Sequence, residues 1–184
     1  MKTVLIFLAE GFEEIEAVTC LDLLRRVGVN AKFVSITGNY QVTGAHNAIY
    51  RADMLFDGEK AKDADAIVLP GGLPGAHNLL AHEGLHELIL YFHEKKKSIN
   101  AICASPMILG AHGILSGRSA TIYPGMEAEL IGATPVSDTV CTDGHITTSQ
   151  GPATSFDFAL RIVKNLMGDT VKEELMGDLL YRKA

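Results

Sequence analysis

Short, continuously apolar runs alternate with longer amphipathic stretches along this chain of 184 residues. Residues 4–8 (Val-Leu-Ile-Phe-Leu) are the first such run. A run that is apolar at every position is typical of a parallel strand buried on both faces. Amphipathic stretches such as 13–27 and 84–97 have the period of helices that would cover those faces. The alternation predicts a doubly wound α/β fold, in which helices flank both faces of a mostly parallel sheet.

The sequence also predicts the individual elements. The predicted strands lie at 4–8, 31–36, 65–72 and 99–102, and the predicted helices at 13–27, 84–97, 152–167 and 170–181. Residues 38–54 are expected to form a polar hairpin with Gly38-Asn39 as its turn. Residues 119–148 are expected to hold two or three short strands around a small helix at 125–131. No repeat, low-complexity segment or linker interrupts the chain, which predicts one domain over 1–184.

Charge, hydropathy and cysteine usage exclude several classes of function. A net charge of −6 argues against a general nucleic-acid binder, because phosphate contacts need a basic surface. No apolar stretch approaches the roughly 18 residues that cross a bilayer, and the N-terminus lacks the features of a signal peptide. Cys20, Cys103 and Cys141 are odd in number and widely spaced, which indicates neither a disulfide framework nor a zinc site and favours a reducing cytoplasm.

Three predicted strands end in unusual residues, namely Ala9-Glu10-Gly11, Pro70-Gly71-Gly72 and Cys103-Ala104-Ser105-Pro106. In an open parallel sheet, ligands bind at the carboxyl ends of the strands. We therefore expect these three ends to converge on one functional crevice.

Cys103 is the first candidate for a catalytic residue. It lies between the strand predicted at 99–102 and a helix opened by Ser105-Pro106, where proline suits the first turn. Such a tight turn exposes its central side chain, as in the nucleophile elbow of serine hydrolases. The N–H groups of the following helix are expected to favour the thiolate and lower its pKa. The alternative is an inert core cysteine, which is the interpretation we prefer for Cys20 and Cys141.

Glu16 is the second candidate. On the helix predicted at 13–27 it shares a face with Cys20, Leu23 and Val27, which are apolar. Burial of a carboxyl on such a face is expected to raise its pKa and keep it protonated or sharing a proton. A glutamate stabilised by the helix N-terminus is the alternative, and it explains Glu13 and Glu14 better than Glu16.

The glycine pair at Gly71 and Gly72 could supply an N–H that, with the amide of Ala104, forms an oxyanion site. A simple turn is the alternative for two glycines after a strand.

The seven histidines show no metal-ligand spacing, so we expect no metal ion and no other cofactor. His82, His86 and His93 are expected to be solvated, although the fold could still bring a histidine to Cys103.

Four segments resemble the ThiJ/PfpI superfamily, and more narrowly its branch of the Parkinsonism-linked protein deglycase. These segments are 10–16 (EGFEEIE), 68–72 (VLPGG), 101–106 (AICASP) and 149–160 (SQGPATSFDFAL). The resemblance covers nearly the whole chain in order. It implies a single ThiJ/PfpI (class I glutamine amidotransferase-like) domain over 1–184, a flavodoxin-like fold, a homodimer and an oxidation-sensitive cysteine.

The resemblance also implies roles for particular residues. Cys103 would be the reactive cysteine and Glu16 its carboxylate partner, with the amides of Gly72 and Ala104 forming the oxyanion site. Gly71 and Tyr123 would line the pocket. A protonated glutamate at this position would donate a hydrogen bond to the thiolate, or to the sulfinate that oxidation produces.

Two departures from the superfamily pattern bear on activity. Ala104 stands where the protease-like branch has a histidine, so we expect no peptidase activity. Ile122-Tyr123-Pro124 replaces a segment in which many deglycase-branch members carry a histidine. A neutral phenol is a poor base at pH 7, so proton transfer would fall to Glu16 or water.

The function that we predict is a glutathione-independent glyoxalase or deglycase that acts on reactive dicarbonyls such as methylglyoxal. One alternative is a non-enzymatic redox sensor or stress chaperone that works through oxidation of Cys103. Another is the thiazole phosphate (thiamine) role with which some superfamily members are labelled, although nothing in the sequence supports phosphate handling.

The helix predicted at 13–27 is apolar around most of its circumference, which favours a homodimer interface.

Overall fold

A computed structural model describes residues 1–181 of the chain. The strands are β1 (Thr3–Leu8), β2 (Asn30–Ser35), β3 (Gln41–Thr43), β4 (Ile49–Arg51), β5 (Met54–Leu55), β6 (Ala66–Leu69), β7 (Ser98–Ile102), β8 (Ser119–Ala120), β9 (Thr134–Pro135), β10 (Val140–Asp143) and β11 (Ile146–Ser149). The helices are α1 (Glu14–Arg26), α2 (Gly58–Ala61), α3 (Gly75–Leu80), α4 (Glu83–Glu94), α5 (Pro106–Ala111), α6 (Ser155–Met167) and α7 (Asp169–Asp178). Short 3₁₀ helices span Glu127–Glu129 and Pro152–Thr154.

Seven strands form the central sheet, in the order β10-β11-β7-β6-β1-β2-β5. All neighbouring pairs are parallel except β10 with β11. Strand β1 lies in the middle, and its Val4 pairs with Ala31 of β2 on one side and with Ala66 of β6 on the other. The predicted doubly wound α/β fold with a mostly parallel sheet is confirmed.

Helices cover both faces of this sheet, which explains why β6 and residues 4–8 of β1 are apolar at every position. Val4, Ile6 and Leu8 of β1 belong to a core shared with α1 and α6. Leu5 and Phe7 point to the other face, into a core shared with α4 and α5. At about 25 cal/mol per Å² of apolar area, the burial of these side chains is the main favourable contribution to folding.

The structure corrects several predicted details. The hairpin within 38–54 turns at residues 44–48, where the Gly44 N–H donates to the Ala48 carbonyl (2.9 Å), and not at Gly38-Asn39. Helices α2 and α3 were not predicted, because four and six residues are too short to show a helical period. The small helix expected at 125–131 is one 3₁₀ turn. None of the helices within 1–181 combines the length and the hydropathy that a membrane crossing requires.

Candidate active site

Cys103 occupies a strained turn between β7 and α5. Its φ of 63° lies in the left-handed region, which costs a non-glycine residue about 1–3 kcal/mol. Two backbone hydrogen bonds hold it there: the Cys103 N–H donates to the Ser149 carbonyl (3.0 Å), and the Tyr123 N–H donates to the Cys103 carbonyl (2.9 Å). These bonds fix the conformation of the residue, which is half-buried and packs against the core that α1 and α6 share.

Glu16 is fully buried on α1, where the Gly71 N–H donates to its Oε2 (2.7 Å). Its Oε1 is also buried and has no well-formed hydrogen bond to any residue within 1–181. Burial raises the pKa of Glu16 to about 7, and the nearby charge of Glu13 acts in the same direction, while the Gly71 N–H and Cys103 oppose the rise. The raised pKa agrees with the expectation from the apolar face of this helix.

The pKa of Cys103 departs from the sequence prediction. Burial and the negative charge of Glu16 raise the pKa of its thiol to about 12, whereas we expected the helix N-terminus to lower it. The amide N–H groups of Gly72 and Ala104 do hydrogen-bond the sulfur and act in the expected direction, but they are outweighed. The sequence prediction was wrong because it counted the helix and omitted desolvation and the neighbouring carboxylate.

Cys103 and Glu16 therefore behave as one titrating pair. Each ionised group opposes the ionisation of the other, so the pair loses its first proton near neutral pH and its second only at high pH. Near pH 7 the pair is therefore divided between a form that holds two protons and a form that holds one. The pair can present either a thiolate beside a carboxylic acid or a thiol beside a carboxylate.

Gly71 makes this close approach of sulfur and carboxyl feasible. A Cβ built on Gly71 would lie 2.5 Å from the Cys103 Cβ and 2.9 Å from Glu16 Oε2. Both distances are below normal carbon and oxygen contacts, so no residue with a side chain fits here without movement. The Ser105 hydroxyl donates to the Pro70 carbonyl, which joins the turn before α5 to the segment that contains Gly71.

Tyr123 meets the site mainly through its backbone. Its N–H holds the Cys103 carbonyl, and its side chain is 48% exposed and lies beside Gly151. The structure thus brings Cys103 and Glu16 together with Gly71, Gly72 and Ala104. It places Tyr123 at the edge of this group.

The other cysteines lie in the core. Cys20 is fully buried within α1, and burial raises the pKa of its thiol. Cys141 is 8% exposed and donates a weak hydrogen bond from its sulfur to the Ser119 carbonyl (3.4 Å). Neither touches the Cys103 site through a hydrogen bond that the structure describes.

His82, His86 and His93 are half-buried and each contacts a neighbouring residue, so they are less solvated than we expected. His82 accepts from the Leu85 N–H (3.0 Å) at the start of α4, and His86 stacks on His112 with ring centroids 3.8 Å apart. The rings of His93 and His145 approach to 3.1 Å between nitrogens. Sequence reasoning also missed His46, which contacts Glu13 and Glu14 at the start of α1. Apart from the contact of His82 with Leu85, these partnerships join residues that are distant in sequence, so no local spacing could signal them.

The fold and the site together define a class: α/β proteins that carry a cysteine on a strained turn at the carboxyl edge of the sheet, next to a buried glutamate. Residues 2–165 match the DJ-1/PfpI family, and the chain belongs to that family. This membership confirms the resemblance to the ThiJ/PfpI superfamily that the four motifs gave.

Curated relatives agree with this membership. The chain is 36% identical over 185 residues to "Parkinson disease protein 7 homolog" of Danio rerio, with 98% of each chain covered. It is 33% identical to "Glutathione-independent glyoxalase DJR-1.2" of Caenorhabditis elegans, with 99% of this chain and 98% of the relative covered. It is 37% identical to "Protein DJ-1 homolog B" of Arabidopsis thaliana over 90% of its residues, but it spans only 38% of that longer relative.

Solved structures show the same fold. The oxidized DJ-1 of Toxoplasma gondii superposes with a TM-score of 0.93 at 31% identity, with all of both chains covered. The DJ-1beta of Drosophila melanogaster superposes with a TM-score of 0.91 at 33% identity, covering 99% of each chain.

Proposed function

We propose that this protein is a cysteine-dependent, glutathione-independent glyoxalase or deglycase that converts reactive dicarbonyls such as methylglyoxal to hydroxy acids such as lactate. The observation that carries the proposal is the pairing of Cys103 with the buried carboxyl of Glu16 beside the amides of Gly72 and Ala104, in which each group raises the cost of ionising the other. A nucleophile, an acid–base group and oxyanion donors are the parts that this chemistry needs. The name of the Caenorhabditis elegans relative supports the same reaction class.

The first step is addition of the Cys103 thiolate to the aldehyde carbon of methylglyoxal. A carbon–sulfur bond forms, the carbonyl π pair moves to oxygen, and the developing oxyanion is held by the amide donors. Glu16, protonated in the same microstate, gives its proton to that oxygen and becomes a carboxylate. The product is a hemithioacetal, and the total charge of the site is unchanged.

The second step uses the carboxylate that the first has generated. Glu16 removes the hydrogen on the former aldehyde carbon as a proton, which gives an enediolate. Glu16 then returns this proton to the adjacent carbon, while the hydroxyl proton on the first carbon passes to the neighbouring oxygen as the new carbonyl forms. The result is a lactoyl thioester of Cys103, reached without an external oxidant because one carbon is oxidised and its neighbour reduced. Water then cleaves the thioester, releasing lactate and restoring the thiol.

The assignment of both proton transfers to Glu16 rests on what surrounds the sulfur. Tyr123 contributes its backbone N–H to the Cys103 carbonyl and has an exposed side chain. Glu16 is buried beside Cys103 and has a pKa of about 7, which suits a group that must donate and accept a proton at neutral pH.

The test is to incubate the wild-type protein with methylglyoxal and measure D- and L-lactate. We expect lactate from the untreated protein and none after brief alkylation with iodoacetamide. Peptide mapping should find the label on Cys103 and not on Cys20 or Cys141, because those two are buried. Equal lactate from the alkylated protein would contradict a role for Cys103.

A redox sensor or stress chaperone is the second candidate. It is favoured because Cys103 is half-buried, whereas the other two cysteines are buried in the core and less accessible to peroxide. Peroxide would oxidise the thiolate to a sulfenate and then to a sulfinate, releasing one water at each step, and Glu16 would donate a hydrogen bond to the product. Absence of lactate together with conversion of Cys103 to the sulfinate would select this function over the enzyme.

We further propose a homodimer that uses one side of α1. Ala17, Leu23 and Leu24 belong to the chain's own core, so fewer residues of this helix are free for a partner than the sequence suggested. Ile15 remains 54% exposed, and Ile49 on the adjacent hairpin is 67% exposed. An obligate interface is large and apolar, and exposed isoleucines on adjacent elements are side chains that such an interface would cover.

Light scattering at micromolar concentration should therefore give about twice the 19.8 kDa of one chain. Ile15→Glu places a charge in the proposed interface and should lower the mass toward one chain. Ile131→Glu is the control, because Ile131 is equally exposed (59%) on another segment, and its mass should be unchanged. A wild-type mass of a single chain would refute the dimer.

A further inference from the structure

Histidines hold helix α4 at both of its ends, and each of their contacts suits an uncharged ring. His82 caps the start of the helix, His86 lies in its first turn, and His93 lies in its last turn. All three residues are half-buried. Nothing in the proposed chemistry at Cys103 uses them.

The contact of His82 requires a ring nitrogen without a proton. Its Nδ1 accepts from the Leu85 N–H (3.0 Å), and a backbone N–H can only donate. The ring also packs edge-to-face against Phe56, with centroids 4.6 Å apart. Protonation of Nδ1 would break the cap and place a positive charge at the N-terminus of α4, where the helix dipole disfavours a cation.

His86 joins α4 to the end of α5. Its ring stacks on that of His112, with centroids 3.8 Å apart and the planes 10° from parallel. Two protonated rings at this distance would repel one another. Nε2 of His112 is also buried and has no hydrogen-bond partner among residues 1–181, so a proton there would be both charged and unpaired. Burial, with a smaller contribution from His86, lowers the pKa of His112.

His93 joins α4 to the turn between β10 and β11. Its Nδ1 lies 3.1 Å from Nε2 of His145, so one ring donates and the other accepts. His145 is tied to the central sheet, because its carbonyl accepts from the Ile99 N–H (2.9 Å). Protonation of both rings would remove the acceptor and break this contact between α4 and the turn.

The charges around this second pair act mainly against protonation. Burial is the main cause that lowers the pKa of both rings, and the guanidinium of Arg118 adds to it. Lys96 acts in the same direction on the ring in the turn, whereas Glu94 acts the other way on the ring of α4. Asp143 offsets part of the Arg118 charge through an ion pair (3.1 Å). These surroundings favour the uncharged pair at neutral pH.

We propose that these histidines make α4 an acid-sensitive element, which is docked at neutral pH and opens locally as the pH falls below about 6. The sign follows from linkage, because a base whose pKa is lower in the docked state than in the open state binds more protons when open. Docking is therefore complete above the ordinary histidine pKa of about 6.5 and weakens below it. Opening would free α4 from α5, which follows Cys103, and from the turn before β11, whose Ser149 carbonyl holds the Cys103 N–H.

The experiment is hydrogen exchange of the wild-type protein at about pH 7.5 and about pH 5, on either side of the ordinary histidine pKa. Buried apolar side chains of α4 oppose the opening, so the open state is a minor population that exchange detects. After correction for the intrinsic exchange rate, protection of the α4 amides should fall at least about tenfold, since each extra proton bound by the open state contributes up to tenfold per pH unit. Protection of β1, in the middle of the sheet, should fall much less.

Substitutions that keep each contact but remove its titration test the cause. His82→Asn retains a side chain that caps helices, His112→Phe retains an aromatic ring against its partner, and His145→Gln retains a hydrogen-bonding side chain. The triple variant should lose most of the acid response. If circular dichroism shows that it is misfolded at neutral pH, the three single variants take its place, and each should reduce the response.

Two control variants should respond to acid as the wild type does. His77→Ala removes an exposed histidine on α3, outside these contacts. Glu16→Gln removes a group whose pKa is about 7, which separates this proposal from the proposed function. Three results would each overturn the proposal: α4 protection that is independent of pH in the wild type, an equal loss of protection in β1 and α4, or an undiminished response in the variants with substituted contacts.

Discussion

Replacing Glu16 with glutamine will lower lactate formation from methylglyoxal by at least about 100-fold while making Cys103 react faster with iodoacetamide. Glutamine keeps the length of the side chain, and its amide oxygen can still accept the Gly71 N–H that now meets Oε2 at 2.7 Å. It cannot give up or take a proton. Loss of a general acid–base group typically costs 10²–10⁴-fold, and both proton transfers that we propose depend on this one.

The rise in alkylation follows from the charge of Glu16. That charge and burial raise the pKa of the Cys103 thiol to about 12 in the wild type. A neutral glutamine removes the charge and turns an N–H toward the sulfur, so the thiol pKa must fall. The thiolate fraction at pH 7 increases about tenfold for each unit by which the pKa falls. The pH profile of alkylation should therefore move toward acid.

The measurement compares wild type, Glu16→Gln, Glu16→Asp and Cys103→Ala for lactate and for alkylation rate. Aspartate retains an acid with a shorter reach, so it should keep a part of the lactate activity. Cys103→Ala should show neither lactate nor alkylation at this position. A Glu16→Gln protein that makes lactate at the wild-type rate would show that Glu16 is not the proton carrier. A parallel loss of alkylation would show instead that glutamine disturbs the elbow.

The sequence predicted those parts of the site that depend on one element at a time. The strand before Cys103, the helix opened by Ser105-Pro106 and the apolar face that buries Glu16 are all local patterns, and the parallel sheet brings their ends to one edge. Family resemblance then added the pairing of Cys103 with Glu16, which no spacing within either segment encodes.

The sequence could not predict properties that depend on distances between distant segments. The thiol pKa of Cys103 is set by burial and by Glu16, so an argument from the adjacent helix gave the wrong sign. The contact of His46 with Glu14 spans 32 positions, and that of His93 with His145 spans 52. The hairpin turn was misplaced because Gly38 and Gly44 are both compatible with a turn, and only strand pairing decides between them.

Gly72→Ala will lower the free energy of unfolding by about 2–5 kcal/mol, the sum of two separate costs. The φ of Gly72 is +86°, and this left-handed conformation costs a residue with a Cβ about 1–2 kcal/mol. The new Cβ would also lie 2.5 Å from the Glu13 nitrogen and 2.6 Å from the Gly11 oxygen. These are backbone atoms that cannot rotate away, and overpacking of this kind costs about 1–3 kcal/mol.

Gly28→Ala is the matched control, because Gly28 has a similar φ of +75° but no atom within 4 Å of its would-be Cβ. It should lose only the 1–2 kcal/mol of backbone strain. Gly177→Ala, within α7 and in open space, should gain up to about 1 kcal/mol from helix propensity. Chemical denaturation at one fixed protein concentration measures all three.

Because the Glu13 N–H donates to the Gly71 carbonyl (2.9 Å), the backbone beside Gly72 also positions α1, and with it Glu16. If Gly72→Ala costs no more than Gly28→Ala, the start of α1 can shift, and the close fit between this turn and Glu16 is not rigid.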